Sequence, residues 1–137
     1  MDCITDTTLL IDLWREQDKT GPALKFVKLH GDLSVGLPWV VKGEFLRGAQ
    51  LAMHSGEKVN RFLASFIVVW PNDEILFAYA KIYTDLKRIN FMIGPNDLWI
   101  AACAVAMNLS LLTRNPKEFE RVKGLKTIDY TSSTPFA

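Results

Sequence analysis

GPNDLWIAACAVAMNLSLLTRN, residues 94–115, is the stretch that decides the fold. Gly94-Pro95-Asn96-Asp97 is a helix-start signal. Proline is pre-set for a first helical turn, and Asn and Asp offer acceptors to the free N–H groups there. The helix it opens is predicted to run to Met107. Asn108 then interrupts the apolar run, and Ser110–Thr113 reads as a strand that stops on Arg114-Asn115. A helix feeding a short apolar strand that ends in polar residues is the repeating unit of an α/β domain.

The same alternation extends both ways. After Asn115, Pro116–Arg121 predicts a short helix and Lys126–Asp129 a last edge strand, and Tyr130–Ala137 reads as a loose tail rich in Thr, Ser and Pro. Before Gly94, Pro71-Asn72 ends a β-branched strand, Ile67–Trp70, and caps a long helix, Asp73–Ile89. Glu57–Phe66 reads as helical and follows the break His54-Ser55-Gly56. Pro38 opens a helix that passes through Glu44 and Leu46 to about Met53, and Leu33–Leu37 is a short strand before it. Pro22–Leu29 starts with a proline in its first turn. At the N-terminus Cys3–Thr5 reads as a strand, and Asp6-Thr7-Thr8 supplies cap chemistry for a helix to about Arg15, with Leu9, Leu10, Leu13 and Trp14 at helical spacing. The prediction is one α/β domain over residues 1–130 with a mainly parallel sheet, followed by a tail, 131–137. In such a sheet a ligand binds beyond the carboxyl ends of the strands, where strand order reverses.

Composition narrows the function. A chain of 137 residues, 49% hydrophobic, fits a single folded domain that needs neither a disulfide nor a structural metal. No apolar run approaches a membrane span: Ile100–Leu112 is the longest, and Asn108 and Ser110 break it. Met1–Asp6 lacks the basic and apolar segments of a signal peptide. Cys3 and Cys103 are far apart and outside any CxxC spacing, which predicts a reduced, cytoplasmic protein with both thiols buried. The net charge of +1 excludes a protein that holds nucleic acid by bulk positive charge alone.

The residues that follow strands include carboxylates. Asp6 follows the first strand, Asp97 starts the helix that feeds Ser110–Thr113, and Glu44 lies on the helix opened by Pro38, in the apolar context of Val40, Val41 and Phe45. Each has an ordinary reading: Asp6 and Asp97 as helix N-caps, Glu44 as a solvated charge. If they meet at one sheet edge, like charges a few ångströms apart require a cation. Oxygen ligands without His or Cys favour Mg²⁺ or Mn²⁺, and such an ion suits hydrolysis of a phosphodiester. His30 and His54 fall outside every motif and are expected at the surface.

Four segments occur in a telling order: Asp6-Thr7-Thr8; residues 38–49, PWVVKGEFLRGA; residues 94–102, GPNDLWIAA; and residues 112–125, LTRNPKEFERVKGL. With these the chain resembles the PIN-domain proteins, and among them the VapC toxins of VapBC toxin–antitoxin pairs. The resemblance implies a PIN-like three-layer α/β/α domain with a mainly parallel central sheet of four to five strands. It also implies a metal-dependent endoribonuclease. The family's first, second and third acids match Asp6, Glu44 and Asp97, which would bind Mg²⁺ or Mn²⁺. The fourth position, Asp or Asn in the family, matches Asn115. The hydroxyls near the metal match Thr8 and Thr113. Asn115 and Thr113 would orient the attacking water. Asn115 departs from a fully acidic quartet, and Glu118, three residues on, is the alternative source of the missing charge.

Charge is unevenly distributed. Residues 1–80 carry 8 Lys and Arg against 10 Asp and Glu, whereas residues 81–126 carry 8 against 4. Lys87, Arg88, Arg114, Lys117, Arg121 and Lys123 are candidate phosphate contacts, with Arg114 and Lys117 favoured because they flank Asn115. The aromatics Trp14, Trp39, Phe62, Phe66, Phe77, Tyr79 and Phe91 exceed what metal chemistry needs. Most are expected in the core, the rest at a homodimer face or a partner groove. The resemblance implies both a homodimer and a small VapB-type antitoxin, and a structured RNA such as tRNA as substrate. The competing readings are a PIN-like module that binds RNA or a partner without cutting, and a phosphotransfer domain. The second lacks an Asp two residues after Asp6 and a Lys directly after Ser110–Thr113.

Overall fold

The computed structural model describes residues 1–17 and 21–132; Tyr130, expected to begin a loose tail, is instead buried with its hydroxyl on Asp12, and the rest of that tail lies outside the described residues from Ser133 onward. The elements, in chain order, are β1 (Cys3–Thr5), α1 (Thr7–Arg15), α2 (Pro22–Leu29), β2 (Val35–Pro38), α3 (Trp39–Leu51), α4 (Gly56–Leu63), β3 (Ile67–Val69), α5 (Asp73–Arg88), α6 (Pro95–Met107), β4 (Ser110–Thr113), a 3-10 turn (Pro116–Phe119) and β5 (Thr127–Asp129). The five strands form one sheet in the order β3-β2-β1-β4-β5, and every pairing is parallel. The three-layer α/β/α expectation holds, with five strands.

Side-chain alternation along short strands divides the core in two. Ile4 and Leu111, opposite each other in the β1–β4 register, pack with α3, α5 and α6. Cys3 and Leu112 face the other way and pack with Leu9 and Leu13 of α1, Ala23 and Phe26 of α2, and Tyr130. Both faces of the sheet are covered, as a parallel sheet requires. Helix α6 is apolar around most of its circumference because it is buried on most sides: Ile100, Ala101, Ala102, Cys103 and Ala104 are all 0–1% exposed. Asn108 ends it in the left-handed conformation, φ 54°, which Asn tolerates better than most side chains.

Boundaries shift by a few residues where tertiary contacts intervene. Pro38 still belongs to β2, pairing with Val69, and serves as the residue before α3. Helix α4 stops at Leu63 rather than Phe66, since the chain must turn to feed β3, and the Phe66 N–H closes that turn on the Leu63 carbonyl. The segment after Asn115 is 3-10 rather than α-helical, its first turn closed by the Glu118 N–H on the Asn115 carbonyl. Of the aromatics, Trp14, Phe45 and Phe62 form one cluster and Trp39, Tyr79 and Trp99 another, whereas Phe77 and Phe91 are exposed. His54 is exposed, its ring against Trp14, but His30 is half-buried against Phe26 rather than at the surface. Both cysteines are buried and free, and burial pushes their thiols up to about 11 (Cys3) and about 12 (Cys103).

Candidate active site

Strand order reverses at β1: β2 and β3 extend the sheet on one side, β4 and β5 on the other. Thr5 pairs with Leu112, so the residues that leave the two strands, Asp6 and Thr113, emerge side by side. Asp6 is 5% exposed and does cap α1, accepting from the Thr8 N–H at 3.0 Å. Its carboxylate also accepts from the Thr8 hydroxyl at 2.5 Å, from the Thr113 hydroxyl and from the Leu9 N–H. The cap and the candidate site residue are therefore the same group. Burial raises its pKa, and these hydrogen bonds only partly oppose the rise.

The Asp-Thr-Thr opening divides its labour. Thr8 holds Asp6, while Thr7 donates to Glu44 Oε1 at 3.1 Å, fixing α3 to the start of α1. Glu44 is half-buried rather than solvated. Nothing local in the sequence points to Thr7, because a hydroxyl reaching across 37 positions leaves no local signal.

Asp97 lies three positions into α6, where Gly94, not Asp97, is the capping residue. Its carboxyl is pushed up to about 6, first by burial and then by the negative charges of Glu118, Asp6 and Glu44; Glu118 also hydrogen-bonds to it. Asp97 thus senses carboxylates carried by α1's cap, by α3 and by the 3-10 turn. Thr113 is buried; its hydroxyl accepts from the Asn115 N–H at 2.9 Å while donating to Asp6. Asn115 therefore contributes its main chain to this network. The tight turn after it carries Glu118 near enough to raise the Asp97 carboxyl.

The two candidate phosphate contacts differ. Lys117 is exposed on the 3-10 turn. Arg114 is tied down: its guanidinium donates to Asp12 Oδ1 at 2.5 Å, and its main-chain N–H to the Thr8 hydroxyl at 3.4 Å. The other Asp12 oxygen accepts from the Tyr130 hydroxyl at 2.6 Å. Among the described residues no three His, Cys, Asp or Glu side chains stand close enough to enclose an ion. The donor set still fits Mg²⁺ or Mn²⁺. It is all oxygen, its charges repel one another as they stand, and a hard ion that keeps several waters needs only one or two direct carboxylates.

This arrangement can be set beside known proteins. A family profile described as the PIN domain matches residues 3–125. The chain belongs to the PIN-domain family. Within it, the chain is 34% identical over 129 residues to Ribonuclease VapC1 of Methanocaldococcus jannaschii, covering 92% of this chain and 86% of that one. It is 37% identical over 129 residues to Ribonuclease VapC1 of Haemophilus influenzae strain R2866, covering 92% and 96%. Among solved structures, VapBC-1 from nontypeable Haemophilus influenzae matches with a TM-score of 0.83 at 26% identity, over 96% of this chain and all of that one. VapBC2 from Rickettsia felis, bound to a DNA fragment from its promoter, shares the fold with a TM-score of 0.80 at 24% identity, over 93% and 97%. The PIN-domain chain described here thus sits among the VapC members of its family.

Proposed function

We propose that this PIN domain, residues 1–130, is a VapC-type endoribonuclease toxin that hydrolyses RNA phosphodiester bonds with Mg²⁺ or Mn²⁺ and is neutralised by a VapB-type antitoxin. The observation that carries the reading is the convergence of Asp6, Glu44, Asp97 and Glu118 at the strand-order reversal, felt by Asp97 as a carboxyl held near 6. A structural acid cluster would neutralise itself with a cation from its own chain, yet Asp97's surroundings are dominated by negative charge.

Asp6, Glu44 and Asp97 are the residues that would hold the ion, with Glu118 completing the set in place of an acid at Asn115. When bound, the ion activates water and offsets charge on the phosphate. Thr8 and Thr113 fix the orientation of the Asp6 carboxylate, and Thr7 that of Glu44. Glu118 stands beside Asp97 and raises its carboxyl, a repulsion that a bound cation would relieve. Asn115, exposed after β4, would orient water or a phosphate oxygen. Lys117 beside it and Arg114 at the rim supply positive charge for the RNA backbone. Glu118 favours cutting over the non-cutting alternative, since it would restore the charge that Asn115 lacks.

Partners follow from the surfaces. Ile67, Trp70, Leu76, Phe77 and Tyr83 are exposed along the β3–α5 side and support a homodimer. An apolar cavity of about 530 Å³, lined by Leu13, Leu24, Phe26, Val27, Leu33 and Phe66 among others, supports a groove for apolar antitoxin side chains. No helix among the described residues is long and apolar enough to cross a membrane. Action on structured RNA such as tRNA in the cytoplasm agrees with these features.

The test is cleavage of a structured RNA by purified protein with and without Mn²⁺, beside Asp97→Asn. Cleavage that requires the ion and falls by about two orders of magnitude or more in the variant is expected. Equal cleavage by the variant, or cleavage unaffected by EDTA, refutes it.

A further inference from the structure

Arg114 raises a question that the acid cluster sharpens. Its main-chain N–H donates to the Thr8 hydroxyl, which donates to Asp6, so the start of its side chain is two hydrogen bonds from the site. Asp97 there feels the negative charges of Glu118, Asp6 and Glu44. A guanidinium with five donors on a long, flexible stem is the nearest remedy, and it carries the geometry that carboxylates accept best. Nothing in the local sequence keeps it out. Yet the guanidinium points elsewhere, to Asp12 one turn and a half along α1.

Asp12 is built for that purpose. Its side chain is 14% exposed, and each oxygen has its own donor: Oδ1 takes Arg114 at 2.5 Å, and Oδ2 takes the buried Tyr130 hydroxyl at 2.6 Å. The carboxylate thereby joins α1 to the residues that leave β4 and β5. Tyr130 aims the acceptor, and Asp12 holds the arginine, whose side chain stays 39% exposed. A held, half-exposed guanidinium can still meet a phosphate at the rim.

We infer that Asp12 is a positioning residue that keeps the Arg114 guanidinium out of the Asp6–Glu44–Asp97–Glu118 cleft, so that the chain's own cation does not compete with the divalent ion. The inference rests on the metal-dependent reading of the site. Without Asp12, Arg114 swings to the free carboxylates and becomes an internal competitor. Removing Arg114 as well removes the competitor.

The experiment is a Mn²⁺ titration of the full chain, without RNA, followed by the electron paramagnetic resonance signal of the free ion. Wild type, Asp12→Asn, Arg114→Ala, the double variant and Tyr130→Phe are compared, with far-ultraviolet circular dichroism checking the fold. Asp12→Asn is expected to weaken Mn²⁺ binding by about tenfold, in the range of outer-shell changes at metal sites. The double variant is expected to return to within about twofold of Arg114→Ala, and Tyr130→Phe, which leaves Asp12 charged, to lose less than Asp12→Asn. A double variant as weak as Asp12→Asn overturns the inference, because Asp12 would then be only a structural pin. Unchanged affinity in Asp12→Asn overturns it as well. A wild type that binds no Mn²⁺ overturns both the inference and the metal reading beneath it, and only that result touches the reading.

Discussion

Asp97→Asn should stabilise the metal-free protein while removing its activity. The carboxyl is pushed from an ordinary 3.8 to about 6 in the folded chain. About two pH units, at 1.36 kcal/mol each, correspond to roughly 3 kcal/mol of native-state destabilisation once the group is ionised. The cleft is open to solvent, which screens part of this, and the variant gives up a favourable charge in the first turn of α6 worth about 0.3–1 kcal/mol. A net gain of about 1–2 kcal/mol remains, or roughly 3–8 °C in Tm for a chain of this size. The sign follows from proton counting. Between 3.8 and about 6 the native state binds more protons than the unfolded one, so wild-type stability falls as pH rises through that window and stays low above it. Thermal or urea denaturation in EDTA at pH 7.5 should therefore favour the variant, and at pH 4 the advantage should shrink towards zero. Saturating Mn²⁺ should reverse the order. An ion at a hundred times its Kd adds about 2.7 kcal/mol to a protein that binds it and nothing to one that does not. A variant less stable than wild type in EDTA at pH 7.5, or equally favoured at both pH values, refutes the picture of an uncompensated acid cluster.

Other consequences are simpler. Glu118→Gln should lower the rate of RNA cleavage by about tenfold or more and Asn115→Ala by clearly less, measured at saturating Mn²⁺; the opposite ranking would return the fourth position to Asn115. Thr7→Val should leave Tm within a few degrees of wild type but weaken Mn²⁺ binding severalfold, because Glu44 loses the donor that aims it. Tyr130→Phe should cost about 1.5–3 kcal/mol in urea denaturation, the worth of a buried hydrogen bond to a charged acceptor. Cys3 and Cys103, with thiols pushed up to about 11 and 12, should resist a thiol reagent in the native protein and react only on unfolding.

Much of this molecule could be read from its residues. Caps and breaks such as Asn72 before α5 and Pro95 in the first turn of α6 act within a few residues, so elements were placed nearly where they form. Asp6, Glu44 and Asp97 are candidates through the family resemblance that the motifs around them carry. Less legible was which ordinary role coexists with the special one. Asp6 is both cap and candidate ligand, whereas Asp97 is no cap at all, because Gly94 starts the helix one turn earlier than a carboxylate cap would require. Glu118 was visible only as an alternative, since its approach to Asp97 depends on a turn winding as 3-10.

The sequence carried the alternation of strands and helices and the parallel sheet they imply, because these rest on spacing within a single element or on short runs of adjacent residues; the three candidate acids came through the resemblance of four separate motifs to the PIN-domain family. Tertiary structure alone decided strand order, and with it the meeting of Asp6 with Thr113, of Thr7 with Glu44 and of Asp12 with both Arg114 and Tyr130. The partners of Asp12 lie 102 and 118 residues away. Contacts over such separations are chosen by how the whole sheet packs, because charge and hydrogen bonding act through space while sequence patterns act along the chain.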